Sequence, residues 1–305
     1  MEIVISSPRG FCAGVVRAID IVEICLERYG APVYVRHEIV HNPHVVEDLH
    51  TKGAIFVEEL DEVPDDQLVV FSAHGVAPGV WSQAEARGLR VIDATCPLVT
   101  KVHLESQRYS RDDYEIIVVG HEGHPEVIGT LGQSPGKSTL VGSVEEANFV
   151  EVKNPDRVVA LTQTTLSVGD TQEIIAVLRK RFPNLVSRND ICYATTNRQT
   201  AAKELAQIVD LVLVIGAQNS SNCNRLKEVA LAEGVPAYLI SGPEELDNSW
   251  VDGISKIGIT SGASTPEASV KRVIESLAPT AITQLDVIVE NVTFSLPKEL
   301  ENSHM

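Results

Sequence analysis

Short runs of Val, Ile and Leu recur along the chain at Ile3 to Ile5, Val33 to Val35, Leu68 to Phe71, Val91 to Ile92, Glu115 to Val119, Val158 to Leu161, Leu211 to Ile215, Ala237 to Ile240 and Lys256 to Ile259. Their brevity and continuous apolar character predict buried strands. Between them, apolar positions fall at three- and four-residue spacing, as in Val15, Ile19, Val22 and Leu26 before Gly30, or Ile174, Val177 and Leu178 before Phe182-Pro183. That spacing predicts helices packed on one face. Strand and helix in alternation predict an α/β protein with mainly parallel sheets and right-handed crossovers.

The pattern also repeats. Cys12, Cys96 and Cys192 each follow a short polar or glycine-bearing turn (Arg9-Gly10-Phe11, Asp93-Ala94-Thr95, Asn189-Asp190-Ile191) and each opens a predicted helix. Downstream of each, a strand runs straight into small polar or histidine residues: Ser72-Ala73-His74-Gly75, then Gly120-His121-Glu122-Gly123-His124-Pro125-Glu126, then Gly216-Ala217-Gln218-Asn219-Ser220-Ser221-Asn222. Ligands of open α/β sheets collect beyond the carboxyl ends of the strands, where these clusters fall. The expected organisation is therefore three similar α/β lobes, residues 1–96, 97–191 and 192–281, surrounding one shared site. A polar tail is expected over residues 282–305.

Composition narrows the function classes. The 305 residues carry 25 Lys and Arg against 42 Asp and Glu, a formal charge of −17, with no run of five basic residues. That argues against a nucleic-acid reader, whose affinity comes from clustered cations. No apolar stretch approaches a membrane span, and the acidic Met1-Glu2 start does not read as a secretory signal. Five cysteines, an odd number, do not read as a disulfide framework. A reducing cytoplasm is the expected compartment.

Three groups of residues carry candidate chemistry. Cys12, Cys96 and Cys192 belong to no Cys-x-x-Cys pair, and cysteine is often simply core. A helix N-terminus, however, favours the thiolate that a metal requires, and three thiolates suit an iron–sulfur cluster with one iron left open. Cys25 lies mid-helix and reads as packing; Cys223 reads as a bystander thiol beside the loop at 219–222. His41, His74 and His124 sit in loops bearing Gly, Asn or Pro, where they are either surface residues or donors to an oxyanion. Ser220, Ser221, Asn222 and Ser264 are N-caps, anion donors at helix starts, or both. Glu126 is a proton donor if buried and an ordinary solvated glutamate if not. Thr164 holds a proton relay or merely caps a strand end.

The motifs Pro8-Arg9-Gly10-Phe11-Cys12-Ala13-Gly14, Arg36-His37-Glu38-Ile39-Val40-His41-Asn42, Ser72-Ala73-His74-Gly75, Asp93-Ala94-Thr95-Cys96-Pro97, Gly123-His124-Pro125-Glu126, Thr162-Gln163-Thr164-Thr165-Leu166-Ser167, Cys192-Tyr193-Ala194-Thr195-Thr196-Asn197 and Asn219-Ser220-Ser221-Asn222 together resemble the 4-hydroxy-3-methylbut-2-enyl diphosphate reductase family, also called IspH or LytB. The resemblance covers residues 1 to about 300. It implies three lobes in pseudo-threefold arrangement around a 4Fe-4S cluster held by Cys12, Cys96 and Cys192. Glu126 becomes the proton source, with Thr164 near the reacting hydroxyl and Thr195 a weaker member of the same network. His41, His74, His124, Ser220, Ser221, Asn222 and Ser264 become the diphosphate site. The implied reaction is reductive removal of an allylic hydroxyl, yielding isopentenyl and dimethylallyl diphosphates, with reduced ferredoxin or flavodoxin as electron donor. Cys223 departs from the serine expected there and adds an oxidisable thiol. Three rivals fit the same residues: a dehydratase needing no reductant, an iron or redox sensor that binds without turnover, and a phosphate-binding module with structural cysteines.

Overall fold

The computed structural model describes residues 1–301, and the chain divides into two compact units. The first comprises Met1–Val15, His41–Val45 and Cys192–Thr293; the second comprises Val16–Val40, Val46–Ile191 and Phe294–Met305.

The first unit is built on one five-stranded sheet in the order Ala237–Ile240, Leu211–Ile215, Lys256–Ser261, Glu2–Ser7, Ala281–Asp286, every pairing parallel. Successive side chains of a strand point to opposite faces, so an unbroken apolar run supplies two cores. Leu211, Leu213 and Ile215 pack with Val270 and Val273 of the helix Glu267–Leu277. Val212 and Val214 pack on the other face with Ala202 and Leu205 of Tyr193–Ala206 and Leu226 and Ala230 of Ser221–Ala232.

The second unit holds two four-stranded parallel sheets. One runs Ala54–Val57, Val33–Arg36, Leu68–Phe71, Arg90–Asp93; the other runs Ser138–Val141, Glu115–Val119, Val158–Thr162, Val186–Ser187. The latter is again covered on both faces. Ile117, Val119, Val158 and Ala160 pack with Ile174 and Leu178, while Ile116, Val118, Val159 and Leu161 pack with Val102 and Tyr109. The protein is thus three parallel-sheet α/β lobes, as the alternation of strand and helix predicts.

All nine strands predicted from apolar runs are present, and the four others have weak signals. Ala54–Val57 and Ser138–Val141 are short and half-exposed, Val186–Ser187 has two residues, and Ala281–Asp286 is a mostly exposed edge strand rich in polar side chains. Two expected boundaries need correction. Glu2–Ser7, assigned to a lobe 1–96, pairs with Lys256–Ser261 and Ala281–Asp286 instead. Residues 282–286, assigned to a tail, lie inside that strand, and the short helix Lys298–Glu301 buries Leu300, whose carbonyl accepts from Arg28. The part of that expected tail at 302–305 lies outside the described residues. Contiguous thirds were the simplest division, but a strand finds its sheet by side-chain fit and not by sequence proximity. Among the described residues no helix is long and apolar enough to cross a membrane.

Since Leu213 is fully buried, Leu213→Ala is expected to lower unfolding stability by about 2–5 kcal/mol, read as a shifted midpoint in urea denaturation. A change below about 0.5 kcal/mol would contradict the two-sided core.

Candidate functional site

Because every strand pairing is parallel, the loops that follow the strands of each sheet leave from the same edge. In the second unit, Leu68–Phe71 leads to Ser72 and His74, Arg90–Asp93 to Cys96, Glu115–Val119 to His124 and Glu126, and Val158–Thr162 to Thr164. Cys96 and His124 are each the N-cap of a helix whose first residue is proline (Pro97–Arg111 and Pro125–Leu131). Proline suits that position because its missing N–H would be unpaired there anyway. The Cys96 N–H donates to the Ala73 carbonyl, which ties the cysteine to the histidine loop. Gly75 has φ of +77°, and a Cβ there would meet the His103 ring at 2.7 Å. Glycine therefore lets this loop lie flat on His103.

Glu126 is 3% exposed. Its Oε1 accepts from the Thr164 N–H at 2.6 Å and its Oε2 accepts from the Thr164 hydroxyl at 3.0 Å. The Glu126 N–H donates to His124 Nδ1 at 3.2 Å, and the His124 ring meets His74 edge-on with centroids 5.9 Å apart. Burial pushes the Glu126 carboxyl up to about 7 against the pull of its two Thr164 hydrogen bonds, with buried Asp190 adding repulsion. Asp190 accepts from the Thr162 N–H and from Lys101 at 3.2 Å, and burial raises its pKa as well. Glu126 is therefore a buried and not a solvated glutamate, and contacts link His74, His124, Glu126 and Thr164 in series.

Three supporting residues carry no sequence signal. Beneath the histidine loop, His103 is buried and held down to about 4, with Nδ1 3.2 Å from the Gln133 amide. The same amide donates to the carbonyls of Val76 and Gly129. Burial also lowers the pKa of Arg17 against the opposing influence of nearby Asp93 and Cys96, and its guanidinium donates to the Thr95 and Ser295 carbonyls.

In the first unit, Cys12 precedes the helix starting at Ala13, and Cys192 caps Tyr193–Ala206 by accepting from the Thr195 N–H. The Thr195 hydroxyl lies 3.2 Å from the Cys192 sulfur, so its contact here is with a thiol and not a carboxyl. Ser220 caps Ser221–Ala232, and Ser264 donates to the His41 carbonyl at 3.0 Å. Asn222 is 4% exposed, and neither atom of its amide has a hydrogen-bonding partner. A buried amide costs about 1–3 kcal/mol when unpaired, so this one is poised for a ligand that both donates and accepts or carries ordered water.

None of the five cysteines is in a disulfide, and their exposure sorts them: Cys12, Cys96 and Cys192 are partly exposed, whereas Cys25 and Cys223 are buried. Cys223 therefore corrects the expectation of an oxidisable thiol. Its sulfur is wedged so closely that a Cβ on Gly216 or Gly262 would meet it at 2.3 or 2.2 Å, and burial raises its pKa. Among the described residues no three His, Cys, Asp or Glu side chains gather tightly enough to hold a single metal ion. A polynuclear cluster makes a different demand, since each thiolate binds its own iron.

The model of the LytB protein family matches residues 3–278. The 4-hydroxy-3-methylbut-2-enyl diphosphate reductases of Pseudomonas entomophila (strain L48) and Pseudomonas fluorescens (strain Pf-5) are each 56% identical, covering 98% of this chain and 98% of theirs. The solved E-1-hydroxy-2-methyl-but-2-enyl-4-diphosphate reductase of Plasmodium falciparum superposes with a TM-score of 0.95 at 38% identity, over 98% of this chain and 96% of that one. A second solved structure, of an (E)-4-hydroxy-3-methyl-but-2-enyl diphosphate reductase, gives a TM-score of 0.66 at 34% identity over 91% of this chain and 99% of its own.

With a folded pKa of about 7 against an ordinary 4.5, Glu126 favours the fold most when protonated, so its contribution is full below pH 4.5 and lost as pH rises through 7. Infrared difference spectra are expected to show a buried carboxyl band that titrates near pH 7 and vanishes in Glu126→Gln. A midpoint near 4.5 would show instead that the carboxyl is solvated.

Proposed function

The chain belongs to the LytB family of 4-hydroxy-3-methylbut-2-enyl diphosphate reductases, and on that premise we propose that it removes the allylic hydroxyl of that diphosphate with two electrons and two protons. The products are water and a mixture of isopentenyl and dimethylallyl diphosphates, in the last step of the non-mevalonate isoprenoid route. One proton leaves with the hydroxyl as water and the other ends on the allylic carbon skeleton.

The observation that carries this reading is the Glu126 carboxyl, buried, held by both hydrogen bonds of Thr164 and protonated up to about neutral pH. Hydroxide is a poor leaving group because bulk water has a pKa of about 15.7, so the departing oxygen needs a proton at that moment. An acid whose pKa lies near the working pH delivers it best. Thr164 fixes the carboxyl's orientation and is the residue nearest to relay its proton. His124, two residues earlier as the N-cap of the same helix, is joined to this acid through the Glu126 N–H.

The same reading assigns the diphosphate to His41, His74, His124, Ser220, Ser221, Asn222 and Ser264. Imidazole, hydroxyl and amide groups donate to phosphate oxygens, and helix starts favour the charge. The orphaned Asn222 amide supports the assignment, since its Nδ2 lacks an acceptor. In a chain of charge −17, donors of this kind are needed locally against a repulsive field.

The cofactor is assigned to Cys12, Cys96 and Cys192 as a 4Fe-4S cluster. The donor set fits: these are the three partly exposed thiols, each at a helix start. When bound, such a cluster supplies the electrons that no side chain can and an iron without a protein ligand. Reduced ferredoxin or flavodoxin is the assigned electron source, and the cytoplasm the assigned compartment.

Anaerobic purification, iron analysis and a reductase assay test the assignment. Cys→Ser at 12, 96 or 192 is expected to impair cluster retention, and Cys25→Ser to leave it intact. Glu126→Gln is expected to keep cluster and diphosphate affinity while turnover falls about 10²–10⁴-fold. Near-parent turnover in that variant would remove Glu126 from the proton path. Turnover without any reductant would move the reaction to the dehydratase class.

A further inference from the structure

Arg198 is 1% exposed, the largest fully buried side chain among the described residues, and it lies outside the chemistry assigned above. A guanidinium withdrawn from water is retained only where paired charge and directed hydrogen bonds offset its desolvation. Here Nη2 donates to the Gly10 carbonyl at 2.9 Å. Nη1 donates to the Ala194 carbonyl at 3.0 Å and to both oxygens of Glu290 at 3.0 and 3.2 Å, while Asn197 also donates to Glu290. Gly10 lies two residues before Cys12, and Ala194 two residues after Cys192. One rigid fork therefore bonds backbone on both cysteine segments, which are far apart in sequence.

A second link joins the same two segments. The Ala13 N–H, next to Cys12, donates to the hydroxyl of Tyr193, next to Cys192, at 3.3 Å. The Cys12 loop is further held to its own sheet by the Gly10 N–H on the Ser261 hydroxyl at 2.9 Å and by the Cys12 N–H on the Ala263 carbonyl. Neither link involves a sulfur atom, so neither needs a cofactor in order to form.

We propose that Arg198 and Tyr193 are positioning residues that clasp the Cys12 and Cys192 segments in fixed register before the cluster arrives. The inference rests on the cluster assignment for its purpose, although the clasp itself is a property of the protein alone. A preformed pair of ligand loops removes ordering cost from cofactor binding. Lysine in place of Arg198 keeps the charge facing Glu290 but has no planar fork to span Gly10 and Ala194.

The test compares the parent chain with Tyr193→Phe and Arg198→Lys, with and without anaerobic reconstitution. In the cluster-free proteins, amide exchange of the peptides around 9–14 and 193–196 is expected to quicken about tenfold, with exchange in Leu211–Ile215 and Lys256–Ser261 unchanged. In the reconstituted proteins, iron loss to a chelator is expected to quicken at least tenfold, with an altered electron-paramagnetic-resonance signature. A purely structural role for these side chains would instead raise exchange throughout the sheet and leave the signature of the remaining folded protein as in the parent. Unchanged exchange around 9–14, or iron retained as long as in the parent, would overturn the proposal. Should Arg198→Lys fail to fold, Tyr193→Phe alone decides, since it deletes one partly exposed hydroxyl. A parent chain that takes up no iron would defeat the cofactor assignment, leaving the exchange measurement to decide the clasp.

Discussion

A parallel strand can be followed by another only after the chain has crossed back over the sheet, and this constraint governs the molecule. Most crossovers here contain an α-helix, so most strand ends hand the chain to a helix start along one edge of the sheet. Unpaired backbone N–H groups and the positive ends of helix dipoles gather at that edge as a consequence of connectivity alone. Cys96, His124, Cys192 and Ser220 occupy N-cap positions there. These residues needed only the right side chains, because the topology had already assembled a setting that favours negative charge.

The acid in the second unit shows how burial and hydrogen bonding are set against each other. Desolvation raises the proton affinity of Glu126, and the two Thr164 bonds lower it. Their opposition leaves the carboxyl near neutrality. Asp190 is part of the same balance, since burial raises its own pKa against the opposing pull of Lys101. Proton affinity in this corner is therefore a property of four side chains, two on helices and two in the loops that follow strands.

The strands, the helix starts and the candidate residues were legible because each is a local pattern. Leu211 to Ile215 reads as a strand wherever it finally pairs, and Asp93-Ala94-Thr95-Cys96-Pro97 reads as a turn into a helix from its proline alone. What escaped was long-range pairing. Ala281–Asp286 has an edge strand's exposed polar side chains and so no apolar signature, and nothing in Ile3 to Ile5 announces a partner near residue 258. Arg198 and Tyr193 read as ordinary helix residues, for their bonds to Gly10 and Ala13 exist only once distant segments meet. The burial of Glu126 and of Cys223 was likewise invisible, because exposure is decided by what folds over a residue and not by its neighbours in sequence.

The placement of Glu2–Ser7 between Lys256–Ser261 and Ala281–Asp286 has a consequence for biosynthesis. In chain order Glu2–Ser7 precedes every other described strand, and the two strands that flank it are the last two described. Ile3, Val4 and Ile5 are covered by side chains from Ala202 onward, whereas both sheets of the second unit are complete by residue 187. In the order of synthesis the two sheets of the second unit are complete first, and the sheet carrying the Cys12 loop closes last.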